Sequence, residues 1–450
     1  MTMLRRTTFA LALAASAALA FLPAGPASAT TRIERVVSPG GIEAWLVREP
    51  QVPLIAMEFA FRGGASQDPS EKSGVAYMAA AALDEGAGEL DAKAFQARIE
   101  RNAIEMSFRA SRDELRGSLK MLRDRKDEGF DLLRLALNAP RFDAEPVERI
   151  RAQMLTALKR ATTSPNDIGS RLWWQTAFPG HPYGRPVNGT LESVPTIVRD
   201  DLVGYVGRVF ARDNLKIGVV GDIDAKTLGL VLDRVFGALP ASAQLRNVPQ
   251  TAMASVGKKL EVQLDVPQTV VAFGGLGIPR KDPDFIPAYI VNHILGGGSF
   301  SSRLYREVRE KRGLAYSVYS YLLPLDHAAL FMGATQTRAD RTQETVGLIE
   351  AEIRRLAEEG PSAEELEKSK SYLRGSYALN FDTSTKIASQ LVQLQIDNLG
   401  IDYWERRNGL IDAVTLDDVR RVAKRLLDGG VLVTVVGRVQ GDAAAAKQGG

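Results

Sequence analysis

Cysteine is absent from the 450 residues, and histidine occurs only three times, as His181, His293 and His327. Without cysteine there are no disulfides, no thiolate metal sites and no thiol nucleophile. No two of the histidines stand at a metal-ligand spacing. An excess of charge is lacking too. The 57 basic residues face 54 acidic ones, and two of the basic ones, Arg5 and Arg6, lie in a leading segment that has no acid. A near-neutral surface offers no electrostatic footprint for nucleic acid. Common catalytic signatures are also missing. There is no G-x-S-x-G nucleophile elbow, and Gly257-Lys258 lacks the upstream glycine of a phosphate-binding loop. Gly275-Leu276-Gly277 runs into Ile278-Pro279, a poor opening for the helix that dinucleotide binding needs.

Long hydrophobic runs are scarce as well, with one exception at the N-terminus. Arg5-Arg6 precede a largely apolar stretch from Phe9 to Leu22, followed by prolines and by Ala27-Ser28-Ala29. The stretch is too short to span a bilayer comfortably and reads as a signal peptide over residues 1–29. The mature chain is therefore expected to begin near Thr30, to work in the periplasm and to have no membrane span once the signal is removed. A protein without cysteine suits an oxidising compartment.

The remainder reads as one unit used twice. Asp200-Asp201-Leu202-Val203 and Asp417-Asp418-Val419-Arg420 each open an amphipathic helix that leads to an apolar strand ending at Gly221 or Gly437. Ala76-Tyr77 parallels Ala288-Tyr289, and a long helix starts near Ala144 and again near Ala363. These landmarks repeat at offsets of 212 to 219 residues, which argues for duplication. The expected division is an N-terminal domain over 30–240, a small and polar linker over 241–257, a C-terminal domain over 258–440 and a disordered tail over 441–450. Strands are expected over 42–47, 55–61, 263–273 and 315–322, and helices such as 341–357 show 3.6-residue apolar spacing. Neighbouring strand runs without regular helix alternation indicate α+β, each half a mostly antiparallel sheet with helices packed on one side.

The glycine run Leu295-Gly296-Gly297-Gly298-Ser299 leads into Arg303-Leu304-Tyr305-Arg306-Glu307-Val308-Arg309-Glu310-Lys311-Arg312-Gly313-Leu314-Ala315-Tyr316. This stretch resembles the second-domain signature of the M16 (insulinase/pitrilysin, mitochondrial-processing-peptidase-like) metallopeptidase family. Phe61-Arg62-Gly63-Gly64-Ala65-Ser66-Gln67-Asp68-Pro69 and Phe178-Pro179-Gly180-His181-Pro182-Tyr183-Gly184 have the family's look and order. The resemblance covers nearly all of the mature chain and itself implies a duplicated fold.

In active members of that family, His-x-x-Glu-His on the helix after the second strand supplies two zinc ligands and the glutamate that activates water. A glutamate from a later helix is the third ligand. In this sequence the histidine positions hold Tyr77 and Ala81, the base position holds Ala80, and Ala157 or its neighbour stands at the third-ligand position. Alanine offers neither a lone pair to zinc nor a base to water, so no metal and no complete catalytic set are expected in this chain. The second-half signature is intact. The resemblance implies that Arg309 and Tyr316 bind substrate by holding the scissile peptide, as a fixed positive charge and a hydroxyl donor can.

The expected function is therefore a non-catalytic, substrate-binding subunit of a two-chain zinc metallopeptidase. Its partner would carry His-x-x-Glu-His and the zinc, and its substrates would be peptides. The rival is a stand-alone periplasmic peptide-binding or scaffold protein with no role in hydrolysis.

Overall fold

Central strands with apolar residues on both faces need a cover on each side, and the way this chain supplies the second cover defines its architecture. A computed structural model describes residues 32–438. The expected signal peptide (1–29) and tail (441–450) lie outside the described residues. The first sheet contains β1 (Ile33–Val37), β2 (Glu43–Arg48), β3 (Leu54–Arg62), β4 (Glu105–Ala110), β5 (Glu114–Leu122) and β6 (Leu215–Gly221), in the spatial order β1-β2-β6-β3-β5-β4. The second contains β7 (Lys259–Gln263), β8 (Gln268–Leu276), β9 (Ala315–Pro324), β10 (Ala329–Arg338) and β11 (Leu432–Gly437), in the order β7-β11-β8-β10-β9. Apart from β1, the two orders match strand for strand. Each sheet has one parallel pair, β2 with β6 and β7 with β11, and the pairs from there to β4 and to β9 are antiparallel.

Three of the four strand ranges expected are met to within two residues at each end, and the fourth divides. The run over 263–273 breaks between Gln263 and Gln268, where Pro267 has no N–H to give a ladder. Residues 241–257 form no helix or strand. They are pinned along the fold by hydrogen bonds from Thr251 N to His327 O and from Ala254 N to Ala177 O.

Most helices of each half pack on one side of its own sheet. In the first half, Phe59, Phe61, Phe95, Phe130 and Phe236 share one core. In the second, Phe273, Phe331, Leu356 and Val422 share another. The opposite faces are covered reciprocally. The first-half helix Pro165–Ala177 lies on the second sheet: Trp173 Nε1 donates to Leu432 O at 3.1 Å, and Thr434 Oγ1 donates to Gly169 O at 3.3 Å. The second-half helix Ser384–Ile396 lies on the first sheet. Gln395 Nε2 donates to Ile217 O at 2.8 Å, Arg62 donates to Ile396 O at 2.6 Å, and Ala60 packs with Val392 and Ile396. This explains the residue pattern of β3. Its large side chains at 55, 57, 59 and 61 point to the home core, while Ala56, Glu58 and Ala60 alternate with them and lie equally buried beneath the visiting helix. Gly218 on β6 is glycine because Ala388 O passes where a Cβ would stand, 2.5 Å from it. Both halves belong to one compact unit that begins at Glu34. Among the described residues no helix is long and apolar enough to cross a membrane.

Candidate functional site

In the first half, the chain leaves β3 and enters the helix Val75–Ala82. Its N-terminus is held by buried Asp68, whose carboxylate accepts from Gly74 N at 2.8 Å and from Ala76 N at 2.9 Å. Burial pushes the Asp68 carboxyl up to about 7, against the pull of those backbone donors. Tyr77 and Ala81, four residues apart, share a helix face. Tyr77 is 40% exposed, Ala81 is half-buried and Ala80 is buried. Ala157 is exposed on the packed helix Ala144–Ala161. The surface that the family resemblance assigns to zinc thus presents one phenol and three methyl groups, which do not fit the ion. Among the described residues no group of three or more His, Asp or Glu could hold a metal.

In the second half, the glycine run follows the helix Phe285–Asn292 as a π-helical turn over His293–Gly297. Arg309 rides on a second π-helical segment, Tyr305–Glu310. The wider π turn carries Tyr305 and Arg309 on one face. Gly313 ends the segment at φ +59, and its N–H donates to Arg309 O at 2.8 Å, an αL cap that reverses the chain into β9. Tyr316 then returns beside Arg309. The guanidinium carbon lies 4.8 Å from the ring centres of both Tyr305 and Tyr316. Tyr316 is 84% exposed.

The charges around Arg309 distinguish it from its neighbours. Arg303 makes two bonds to Glu365, each 2.7 Å. Glu307 takes Lys311 at 2.7 Å, Arg312 at 2.8 Å and Arg306 at 3.7 Å. Burial raises the Glu307 carboxyl, but the bonds from Lys311 and Arg312 outweigh it and bring the group down to about 2. Arg309 makes no ion pair among the described residues. Of the basic residues from 303 to 312, it alone has aromatic rings and no carboxylate beside it, an arrangement that holds a guanidinium in place without neutralising it.

The two sheet edges nearest these features differ. Among the described residues neither β4 nor β9 has a backbone partner on its outer side, but β9 is bonded at Ser320, whose hydroxyl donates to the Asn292 side chain and whose carbonyl accepts from it. The three histidines are structural. His181 Nδ1 accepts from Tyr183 N, so its Nε2 donates to Pro249 O. His293 pairs with Ser369 at 3.0 Å, and His327 lies 3.3 Å from Gln250. Burial lowers all three below the usual histidine range. His181 and His327 flank a knot between the halves, where Tyr183 donates to Asp113 at 2.7 Å and accepts from His327 N at 2.9 Å.

The residue-by-residue reading missed a second unpaired guanidinium. Arg112 lies 3.4 Å over the Trp174 ring, donates once, to Tyr183 O, and makes no ion pair among the described residues. The two residues are far apart in the chain and belong to no shared motif, so no signal in the sequence joined them.

Comparison with known proteins bears on the family and the fold. The family description "Insulinase (Peptidase family M16)" matches residues 46–191, and "Peptidase M16 inactive domain" matches residues 196–373. The "Non-peptidase homolog YmxG" of Helicobacter pylori is 30% identical over 337 residues, which is 74% of this chain and 77% of that protein. An "Uncharacterized zinc protease YmxG" of Bacillus subtilis is 24% identical over 358 residues, 80% of this chain and 87% of that protein. Among solved structures, a peptidase M16 inactive domain from Pseudomonas fluorescens superimposes with a TM-score of 0.85 at 28% identity, covering 91% of this chain and 98% of that one. The periplasmic protease PqqL from Escherichia coli shares the fold at a TM-score of 0.76 and 16% identity, covering 90% of this chain and 45% of that one.

Proposed function

We propose that this chain, which belongs to the peptidase M16 family and lacks that family's catalytic motif, is the non-catalytic, substrate-binding subunit of a two-chain zinc metallopeptidase in the periplasm. The observation that carries the reading is Arg309, held between Tyr305 and Tyr316 and left unpaired while the other basic residues of its segment are neutralised. Folding stability does not call for an unpaired, ring-clamped arginine beside a mostly exposed tyrosine, whereas binding a peptide carbonyl does. A partner carrying His-x-x-Glu-His would supply zinc, water and base. This chain would close the chamber, receive extended peptide along the open β4 edge by main-chain pairing, and direct Arg309 and Tyr316 at the peptide.

The test is to purify the tagged mature chain from its own host and assay the eluate for chelator-sensitive peptide hydrolysis. The expected result is a stoichiometric partner with the zinc motif and activity that EDTA abolishes. Arg309→Ala should then lower turnover about 100-fold without preventing assembly, the scale of losing one preorganised oxyanion donor. Wild-type turnover in that variant would remove the role given to Arg309. The second reading is a stand-alone peptide-binding or scaffold protein. The description of the Helicobacter pylori relative as a non-peptidase homolog is in keeping with it. A lone, inactive chain that binds peptides would favour this reading.

A further inference from the structure

Arg112 stands in unusual company for a charged group. Its guanidinium is stacked on Trp174 and largely enclosed, it makes no ion pair among the described residues although the charge of neighbouring Asp113 acts on it, and its single hydrogen bond, from Nε, leaves both terminal nitrogens free of one. Burial lowers its pKa to about 10, so the cation is held at a cost that a bound anion would relieve. A cavity of about 500 Å³ opens beside it. Arg112, Arg171, Arg185 and Trp174 line the cavity together with Asp167 and Glu192, leaving an excess of positive charge. Leu158 and Ala161 complete one wall, so the cavity continues the helix face that bears Ala157.

The residues that line the cavity all belong to the first half, but the charge of Arg112 reaches the second. Tyr321 on β9 is near enough for the Arg112 charge to act on its hydroxyl, which burial otherwise raises. Tyr321 stacks on Tyr319, both partly exposed on the sheet face that carries Met332 and the Pro165–Ala177 helix. Along the same strand, Tyr316 stands against Arg309. A row of exposed tyrosines thus runs from one unpaired guanidinium to another. The five residue steps from Tyr316 to Tyr321 rise about 17 Å, the span of about five residues of extended peptide.

We propose that the cavity beside Arg112 is a carboxylate-binding subsite that selects peptide segments carrying an acidic group about five residues from the point held by Arg309 and Tyr316. This rests on the peptide-binding reading above and adds a specificity to it. Guanidinium pairs with carboxylate in planar, two-bond geometry, and Trp174 fixes the plane in advance. The carboxylate is either a peptide's C-terminus or an Asp or Glu side chain.

Three labelled peptides of about seven residues distinguish the sources, by fluorescence anisotropy with the full mature chain. One has a neutral sequence and a free C-terminus, the second is the same with an amidated end, and the third is amidated with an internal glutamate. The chain should bind at least one of the two carboxylate-bearing peptides about tenfold more tightly than the neutral amide, the scale of a charge-assisted bond. Preference for the first alone assigns the subsite to chain ends, and preference for the third assigns it to acidic side chains. Arg112→Gln should remove the preference and leave affinity for the neutral amide unchanged. Arg112→Lys, which retains charge and volume, should keep part of it and guards against a folding defect. Equal affinity for all three peptides overturns the subsite, as does a preference that survives Arg112→Gln. Failure to bind any peptide would overturn the peptide-binding reading and the subsite with it.

Discussion

Gly218→Ala tests the reciprocal helix packing that joins the two halves. A Cβ at 218 would stand 2.5 Å from Ala388 O and 2.8 Å from Leu391 Cβ, both on the visiting helix Ser384–Ile396. Ordinary contact needs several tenths of an ångström more, and a backbone carbonyl inside a helix cannot rotate aside. The helix must therefore lift from β6, and lifting strains the bonds from Gln395 to Ile217 O and from Arg62 to Ile396 O. Overpacking of this kind costs about 1–3 kcal/mol, and weakening one hydrogen bond adds about 1 kcal/mol. The expected loss is thus about 2–4 kcal/mol. Gly347→Ala is the matched control. It lies in the helix Thr342–Glu359 with nothing within 4 Å of the new Cβ, and should gain about 0.5–1 kcal/mol from helix propensity alone. Urea denaturation followed by far-ultraviolet circular dichroism and by tryptophan fluorescence would read both variants. A Gly218→Ala chain as stable as the Gly347→Ala chain would refute the packing argument.

From the other side of the exchange, Trp173→Ala should cost about 3–5 kcal/mol, because it empties a fully buried site and leaves Leu432 O without its indole donor; denaturation midpoints against wild type would show it. Acid should destabilise the second half. Glu307 and Glu365 are both brought to about 2, burial opposing and the bonds from Lys311 and Arg312 or from Arg303 prevailing. Their folded pKa values lie below the unfolded ones, so this stability is present above about pH 4.5 and is lost as pH falls toward 2. Melting temperature should drop over that window, and replacing Lys311 and Arg312 by methionine should flatten the drop. Asp68 acts with the opposite sign: raised to about 7, it favours the fold most when protonated, so its contribution declines as pH rises from about 4 to 7. A melting profile of Asp68→Asn with the wild-type slope across that range would contradict this. Metal analysis of the dialysed chain should find far less than one equivalent of zinc, and one tightly held equivalent would overturn the account of the Tyr77 surface.

Much of the architecture was legible because duplication leaves a register in the sequence. The Asp200 and Asp417 helix starts and the Gly221 and Gly437 strand ends fall at corresponding places in two sheets of matching order. Gly313 was readable as the turn that brings Tyr316 to Arg309, since only a residue at ease with positive φ ends a helix so sharply. The break at Pro267 was misjudged because apolar residues on both sides outweighed one missing donor. The helix exchange was not legible. Large and small residues alternate in β3 as they would over a single core, and only position shows that Ala56, Glu58 and Ala60 lie under another half's helix.

The expectation of no zinc chemistry came from the sequence alone. A methyl group has no lone pair in any fold, so Ala80 and Ala81, at the positions that the family resemblance assigns to the base and a ligand, exclude those roles before any coordinates are considered. Which arginine is free was decided only by the tertiary structure. Arg303 and Arg309 are the same side chain on the same short segment, yet Glu365, sixty-two residues further along, neutralises one and not the other. Arg112 likewise gains its stacked, unpaired setting from Trp174, brought over it by the fold. Donor capacity is a property of the residue, whereas pairing is a property of distance, and only folding sets distances between residues far apart in the chain.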